Sequence, residues 1–572
     1  MSDTVNTGFI LDMQRKLYRW SVADPDKRFA DLFNIVCDRG TLRRAWERLA
    51  RNRGSNTPGT DRVTRKRVEE RPDGVTGFLE DIRQDLRQGT YLPQPVRQRL
   101  IPKPGKPGKF RPLGIPTLKD RLVQMALKLV LEPIFEADFY PTSYGFRPGR
   151  STHDALARVR HKLNPTSAGP SRTRYVIEGD IKGCFDAIDH HVLMDRVRRR
   201  IQDRKVLRLV LAFLKADIMI EGSLRHPVTG TPQGGIISPL LANVYLTAID
   251  ERYKRWVPNP RDKTRERAQQ RLQSDYKRGR PGFYVVRYAD DFVVLVQGTM
   301  QDAAEERRAL AEFLKTELRM ELSMEKTKVT DVREGFDFLG YRVAQERMPS
   351  TRRHVGMLFI PKSKSQLLRD KIKAKVRETP TGLTLADLIG DINPVVIGWR
   401  NYYRYATRAL KEFAKHDWWL YWRMKSWLGK KHGRASGRTL RRIYAQSRPG
   451  ESSGWRMGEK KLARFADTKR LRYPDRGLRI PNGWNAGPEE AFRKGADKFW
   501  RQPAPSHRCE GHPWLMPRME SRMRGNSHVR FGAGDEETCP GNGARRFIPT
   551  LPATAAALPL IGIRSFRRAQ VA

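Results

Sequence analysis

Two adjacent carboxylates, Asp290 and Asp291, sit inside the run "GFYVVRYADDFVVLVQG" (Gly282–Gly298). The residues on either side are β-branched, aromatic or aliphatic, so the stretch reads as two apolar strands with the acids at the tip of a hairpin. Asp is a common turn residue, and a bare Asp-Asp pair would be read as a turn and nothing more. A second strand-like run, "RYVIEGDIKGCFDAIDH", places Asp180 at a strand end far upstream. A strand end and a hairpin tip can bring three carboxylates together from distant parts of a chain. Bunched carboxylates repel one another unless cations lie between them. Hard oxygen ligands suit Mg²⁺, and two such ions can clamp an in-line phosphoryl displacement.

The charge balance names the class of partner. Among 572 residues, Lys and Arg number 111 against 63 Asp and Glu, a formal net charge of +48. An excess of this size points to a polyanion, with nucleic acid the first expectation, and to binding that weakens steeply with salt. The four cysteines, Cys37, Cys184, Cys509 and Cys539, show no CxxC spacing. A disulfide framework and a paired-cysteine zinc site are therefore not expected. The N-terminus lacks the charged-then-apolar order of a signal peptide. The run Leu551–Ile563 is too short for a bilayer span and holds prolines. The expectation is a cytoplasmic protein with no membrane partner.

Residues 1–95 read as helices broken by the Asn-, Pro- and Gly-bearing loop Arg51–Thr64. Residues 96–345 alternate strands with helices, among them the amphipathic stretch Gln301–Leu318. From about 351 to 450 the pattern is helical and very basic. Residues 451–515 stay basic without periodicity, and the chain beyond 516 is rich in Gly, Pro and Ala.

Ordered blocks between about residues 40 and 450 carry a family resemblance. They are "IPKPGKPGKFRPLGIPTLKDRLVQ" (Ile101–Gln124), "SYGFRPGRS" (Ser143–Ser151), "GDIKGCFDAIDH", "GTPQGGIISPLLANVYL" (Gly230–Leu246), "YADD", "LSMEKTKV" (Leu322–Val329) and "FDFLGY" (Phe336–Tyr341). In this order they resemble a bacterial-type group II intron-encoded reverse transcriptase, or maturase. The resemblance implies an α+β right-hand polymerase, with an antiparallel palm sheet, fingers and an α-helical thumb. The domains expected are an N-terminal helical extension (1–45), fingers and palm (46–345), thumb or maturase domain (346–450), a basic DNA/RNA-binding region (451–515) and an unstructured tail (516–572).

By that resemblance Asp180, Asp290 and Asp291 are catalytic. They would hold Mg²⁺ together with the Ile181 carbonyl. Phe185 resembles the aromatic gate against a ribose 2′-OH. Lys103 and Arg111 resemble the finger cations on the triphosphate, where Arg offers a fork and Lys a point charge; Lys106 and Lys109 are substitutes. Gln233 resembles the residue beside the nucleotide sugar, and Gly234 and Gly235 allow close backbone approach. Lys326 is a candidate for protonating pyrophosphate. Trp399, Arg400, Tyr402, Tyr403, Arg404 and Tyr405, with Trp418, Trp419 and Trp422 following, interleave aromatics with cations, a pattern suited to RNA, and the stretch Leu385–Ala406 resembles the maturase thumb. Part of that aromatic set must be helix core.

The implied partners are the group II intron RNA, an RNA template with a DNA primer or target, and deoxynucleoside triphosphates; the oligomeric state stays open. Many relatives carry a zinc-bound His-Asn-His nuclease with paired cysteines; Cys509 and Cys539 do not fit it, so no endonuclease is expected. One allowed codon choice for Ser521–Phe531 folds into an RNA hairpin resembling domain V of a group II intron. This suggests that residues 516–572 are read-through of the ribozyme. A retron-like or domesticated reverse transcriptase is the alternative enzyme, and a splicing factor with a dormant polymerase the alternative binder.

Overall fold

The structure is a computed structural model. It describes residues 8–484 except 103–107, 109, 167–168, 221–222, 226–228, 231–233, 258–265, 434, 446–453, 469–470, 478–479 and 481–482. Lys103, Lys106, Lys109, Gln233, Cys509, Cys539 and the suspected read-through lie outside the described residues.

Among the described residues the strands are, in chain order, β1 (Val96–Pro102), β2 (Phe110–Ile115), β3 (Tyr175–Gly179), β4 (Ile218–Ile220), β5 (Ser223–Arg225), β6 (Gly282–Tyr288), β7 (Asp291–Gln297), β8 (Lys328–Asp331), β9 (Phe336–Phe338), β10 (Tyr341–Arg347), β11 (His354–Phe359), β12 (Arg456–Met457) and β13 (Lys460–Lys461). The palm sheet runs β6-β7-β3-β8 and is antiparallel throughout. Every residue of β6 is buried, as are Phe292–Val296 of β7. That explains why these runs are continuously apolar instead of alternating: both faces are covered. The helices Thr152–Leu163 and Met300–Leu318 supply part of that cover. The second begins with a reciprocal Thr299/Asp302 capping box and stops at Arg319 in a left-handed conformation.

The helix Leu118–Glu136 is buried along nearly its whole length. The N-terminal helices Gly8–Ala23 and Arg39–Ala50 pack on it, and Gln14 Nε2 donates to the Leu129 carbonyl at 2.6 Å. The fingers sheet has the order β2-β1-β4-β5. A third sheet, β11-β10-β9, leads to the thumb helices Lys362–Glu378, Leu385–Tyr403 and Ala409–Lys431. The expected boundary at 345/346 falls inside β10, which pairs with β11 from Arg342 to Arg347.

The described part of the basic region 451–515 folds back on the protein. Trp455 is buried and stacks on Tyr421 at 5.0 Å. Further on, Arg476 Nε and Nη2 donate to Asp154 in the palm helix Thr152–Leu163, each at 2.7 Å, and the Tyr473 hydroxyl donates to the same carboxylate at 3.0 Å. Residues read as nucleic-acid binding thus form, in part, a strap between thumb and palm. Among the described residues no helix is long and apolar enough to cross a membrane.

Candidate active site

Strands β6 and β7 meet through a two-residue turn, Ala289–Asp290, with Tyr288 paired to Asp291. Ala289 adopts φ +58°, a left-handed backbone that a side chain tolerates only under constraint. The constraint lies beneath it. Arg287 is fully buried, and its Nε and Nη2 donate to Asp250 Oδ2 at 3.0 and 2.5 Å. Its Nη1 donates to Asn243 Oδ1 at 3.1 Å and to the Ala289 carbonyl at 3.2 Å. Asn243 Nδ2 in turn donates to the Gly145 carbonyl at 2.8 Å. A Cβ on Gly145 would stand 2.3 Å from the Ala289 nitrogen, so the "SYGF" loop can lie under the turn only as glycine. Backbone bonds from Tyr144 N to the Arg287 carbonyl (2.8 Å) and from Arg287 N to the Thr142 carbonyl (3.0 Å) close the assembly.

Asp180 follows β3 directly. Its carbonyl accepts from Ser323 N at 2.8 Å, and its Oδ2 accepts from Lys326 Nζ at 2.8 Å. The block "LSMEKTKV" therefore frames the first acid. Ile181 bridges Leu322, but the bonds there run through the Asp180 carbonyl and Lys182 N, which leaves the Ile181 carbonyl turned away from that neighbour.

Asp290 and Asp291 both feel their burial and the neighbouring charges. Crowding by protein atoms pushes the Asp290 carboxyl up, with Asp180 adding to the effect and Arg111 opposing it. Crowding, then Asp290, then Asp180 push Asp291 up to about 7, again against Arg111. Asp290 is half-buried and Asp291 opens to solvent, so the cluster lines an accessible surface. Excess negative charge on hard oxygens, reachable from solvent, fits a divalent cation such as Mg²⁺. Among the described residues no three acidic, His or Cys side chains stand close enough to hold an ion as they are; Asp180 is instead paired with the Lys326 ammonium.

Around the acids, Arg111 lies in β2 opposite Ile101. Gly234 has φ +126°, and a Cβ there would stand 2.1 Å from the Gly114 carbonyl, so Gly234 lies against the same finger strand. Ile236 N adds a bond to Gln124 Oε1 at 2.7 Å. Phe185 is half-buried in the turn after Asp180 and packs against the core.

The sequence matches the family "Reverse transcriptase (RNA-dependent DNA polymerase)" over residues 101–343 and "Group II intron, maturase-specific domain" over residues 365–445. Protein YkfC of Escherichia coli (strain K12) is 38% identical over 346 residues, which are 59% of this chain and 89% of that protein. The group II intron-encoded protein LtrA of Lactococcus lactis subsp. cremoris is 34% identical over 367 residues, 57% of this chain and 59% of LtrA. This chain belongs to the group II intron-encoded reverse transcriptases. A 91 kDa protein in the cob intron of Schizosaccharomyces pombe is 30% identical over 440 residues, 67% of this chain and 53% of that protein. The chain thus spans most of one relative and little more than half of the other two.

The reverse transcriptase match contains the acids, the Arg287 network and Lys326. The maturase-specific match covers most of the thumb helices, which carry the aromatic set expected to meet RNA. Tyr403 is buried, and Trp399, Arg400, Tyr402 and Arg404 are half-buried. The Tyr402 hydroxyl donates to the Leu339 carbonyl at 2.6 Å and the Tyr403 hydroxyl to the Gly340 carbonyl at 3.0 Å. Trp399 packs on Phe413, His416 and Phe465, and Arg400 Nη1 donates to the Arg464 carbonyl at 2.8 Å. Tyr402 and Tyr403 thus seat this helix on the "FDFLGY" block, while Trp399 and Arg400 pack against the segment around Phe465.

Arg287, Asp250, Asn243 and Gly145 were not singled out from sequence. The signal was present: a lone Arg inside an otherwise apolar strand, and Asn243 and Asp250 spaced two turns apart on an otherwise apolar helix, where polar groups need partners.

Proposed function

We propose that this protein is an RNA-directed DNA polymerase that extends a DNA primer on an RNA template, and that it also binds its host intron RNA to assist splicing and retrohoming in the cytoplasm. The observation that supports the reading is the placement of Asp290 and Asp291 at the β6–β7 turn, where the Asp180 charge acts on both and a cation would offset the excess. Asp180 and Asp290, with the Ile181 carbonyl and Asp291 beside them, would hold Mg²⁺. The ions would activate the primer hydroxyl and neutralise the leaving pyrophosphate.

The chain's own residues do the rest. Arg111, with Lys103, grips the triphosphate of the incoming deoxynucleotide. Phe185 closes against a ribose 2′-OH. Gln233 and Gly234 border the sugar. Lys326, released from Asp180 when the acids are neutralised, donates a proton to pyrophosphate. The fixed turn beneath Asp290 keeps the carboxylates from reorganising during the step.

The test is DNA synthesis by purified protein on a primed RNA template, with and without Mg²⁺ and across salt concentration. Metal-dependent extension is expected; tight RNA binding without extension would favour a splicing factor with a dormant polymerase.

A further inference from the structure

The outer face of the thumb helix Ala409–Lys431 carries two exposed indoles. Trp418 is 68% exposed and Trp422 46%, while Phe413, Leu420, Met424 and Trp427 of the same helix are buried. The helix has therefore already filled its core-facing stripe, and the two rings stand outside it. They lie one helical turn apart, with centroids 6.2 Å apart and planes at 62°. Large apolar rings left in water mark a contact surface rather than a packing need.

The surroundings say what kind. Lys425 Nζ stands 4.5 Å from the Trp422 ring centroid. Lys411 and Lys415 are exposed toward the start of the same helix. The acids are neutralised or turned inward: Glu412 pairs with Lys415 at 2.8 Å, and Asp417 accepts from the Phe465 and Ala466 amides at 2.6 and 2.9 Å. The face thus combines π surfaces with the cations Lys411 and Lys425, for which no ion pair stands among the described residues. Cations suit phosphates, and flat rings suit bases that are not already stacked in a duplex. A protein partner with an apolar patch would have no use for the lysines. Both tryptophans also fall within residues 365–445, matched to the group II intron maturase-specific domain.

We propose that Trp418 and Trp422 form a stacking platform for unpaired bases of a folded RNA, with Lys425 holding the adjoining phosphate. The inference rests on the reading that the chain binds its intron RNA.

The test uses the full chain with Trp418→Ala/Trp422→Ala and, beside it, Trp418→Phe/Trp422→Phe. Affinity is measured for a short unstructured RNA, a blunt RNA duplex and a single-stranded DNA of the same length, alongside primer extension. The alanine pair is expected to lose about tenfold or more in affinity for unstructured RNA. It should keep duplex affinity and extension, and the phenylalanine pair should restore most of the loss. Equal losses on unstructured RNA and duplex, or no loss on either, overturn the platform. A loss confined to single-stranded DNA overturns the RNA assignment, and a parallel loss of extension assigns the rings to the primer–template grip instead. Wild type that binds no RNA would overturn the functional reading itself, an outcome separate from an ineffective substitution.

Discussion

Arg287 and Asp250 form a fully buried ion pair directly beneath the turn that presents Asp290, and the same guanidinium holds the Ala289 carbonyl. Removing one partner strands the other charge in the core, at a cost of about 3–5 kcal/mol. Arg287→Ala and Asp250→Ala should each lower the unfolding temperature markedly and abolish extension. Replacing both by apolar residues, Arg287→Met with Asp250→Leu, should recover much of the stability but not the activity, because the bond to the turn stays lost. Recovery of both in the double variant, read by thermal unfolding beside primer extension, would show that the pair is structural only.

Gly145 gives a sharper local probe. A methyl group there meets the Ala289 nitrogen at 2.3 Å, so Gly145→Ala must push the turn away. Overpacking of this kind costs typically about 1–3 kcal/mol. The expected result is a folded protein with extension reduced at least tenfold and RNA affinity unchanged. Wild-type extension by the variant would show that the turn tolerates displacement.

The acids make stability depend on pH in a defined direction. Crowding, then Asp290 and Asp180, hold Asp291 at about 7 in the folded chain, against about 3.9 when unfolded. The folded state therefore binds this proton more tightly. Below about pH 4 the carboxyl is protonated in both states and costs nothing; above about pH 7 it is ionised in both, and the folded state carries the full penalty. Without divalent ions, Asp291→Asn should raise the unfolding temperature near pH 8 and leave it unchanged near pH 4. Mg²⁺ should stabilise wild type more than the variant at pH 8. A variant less stable at pH 8 would contradict this.

Lys326 competes for Asp180. Its ammonium sits 2.8 Å from the carboxylate that would hold the ion. Lys326→Ala should lower the Mg²⁺ concentration needed for half-maximal extension while lowering the maximal rate, since the proton donor is gone. An unchanged Mg²⁺ midpoint, measured by titrating the ion in the extension assay, would argue against the competition.

The palm was legible because its signals are local. The apolar runs of β6 and β7, with acids between them, specify a buried hairpin with the acids at its turn, and Gly282–Gln297 folds that way. The capping residues of Met300–Leu318 are likewise written in a few adjacent positions. What could not be read was which face of a basic, aromatic helix meets the core. Trp399 and Tyr403 are as rich in ring surface as Trp418 and Trp422, yet the first is drawn against Phe413, His416 and Phe465 and the second onto Gly340, while the other two are left outside. That sorting is decided by segments distant in sequence. The Arg476–Asp154 strap was illegible for the same reason: two charges far apart along the chain give no local sign that they meet.

The most direct test of the whole account compares wild type with Asp290→Asn on a primed RNA template with Mg²⁺, measuring extension and intron-RNA affinity on the same preparations. The account predicts that wild type extends, that the variant does not, and that both bind and support splicing alike. Extension surviving in the variant would contradict the assignment of the turn as the catalytic centre.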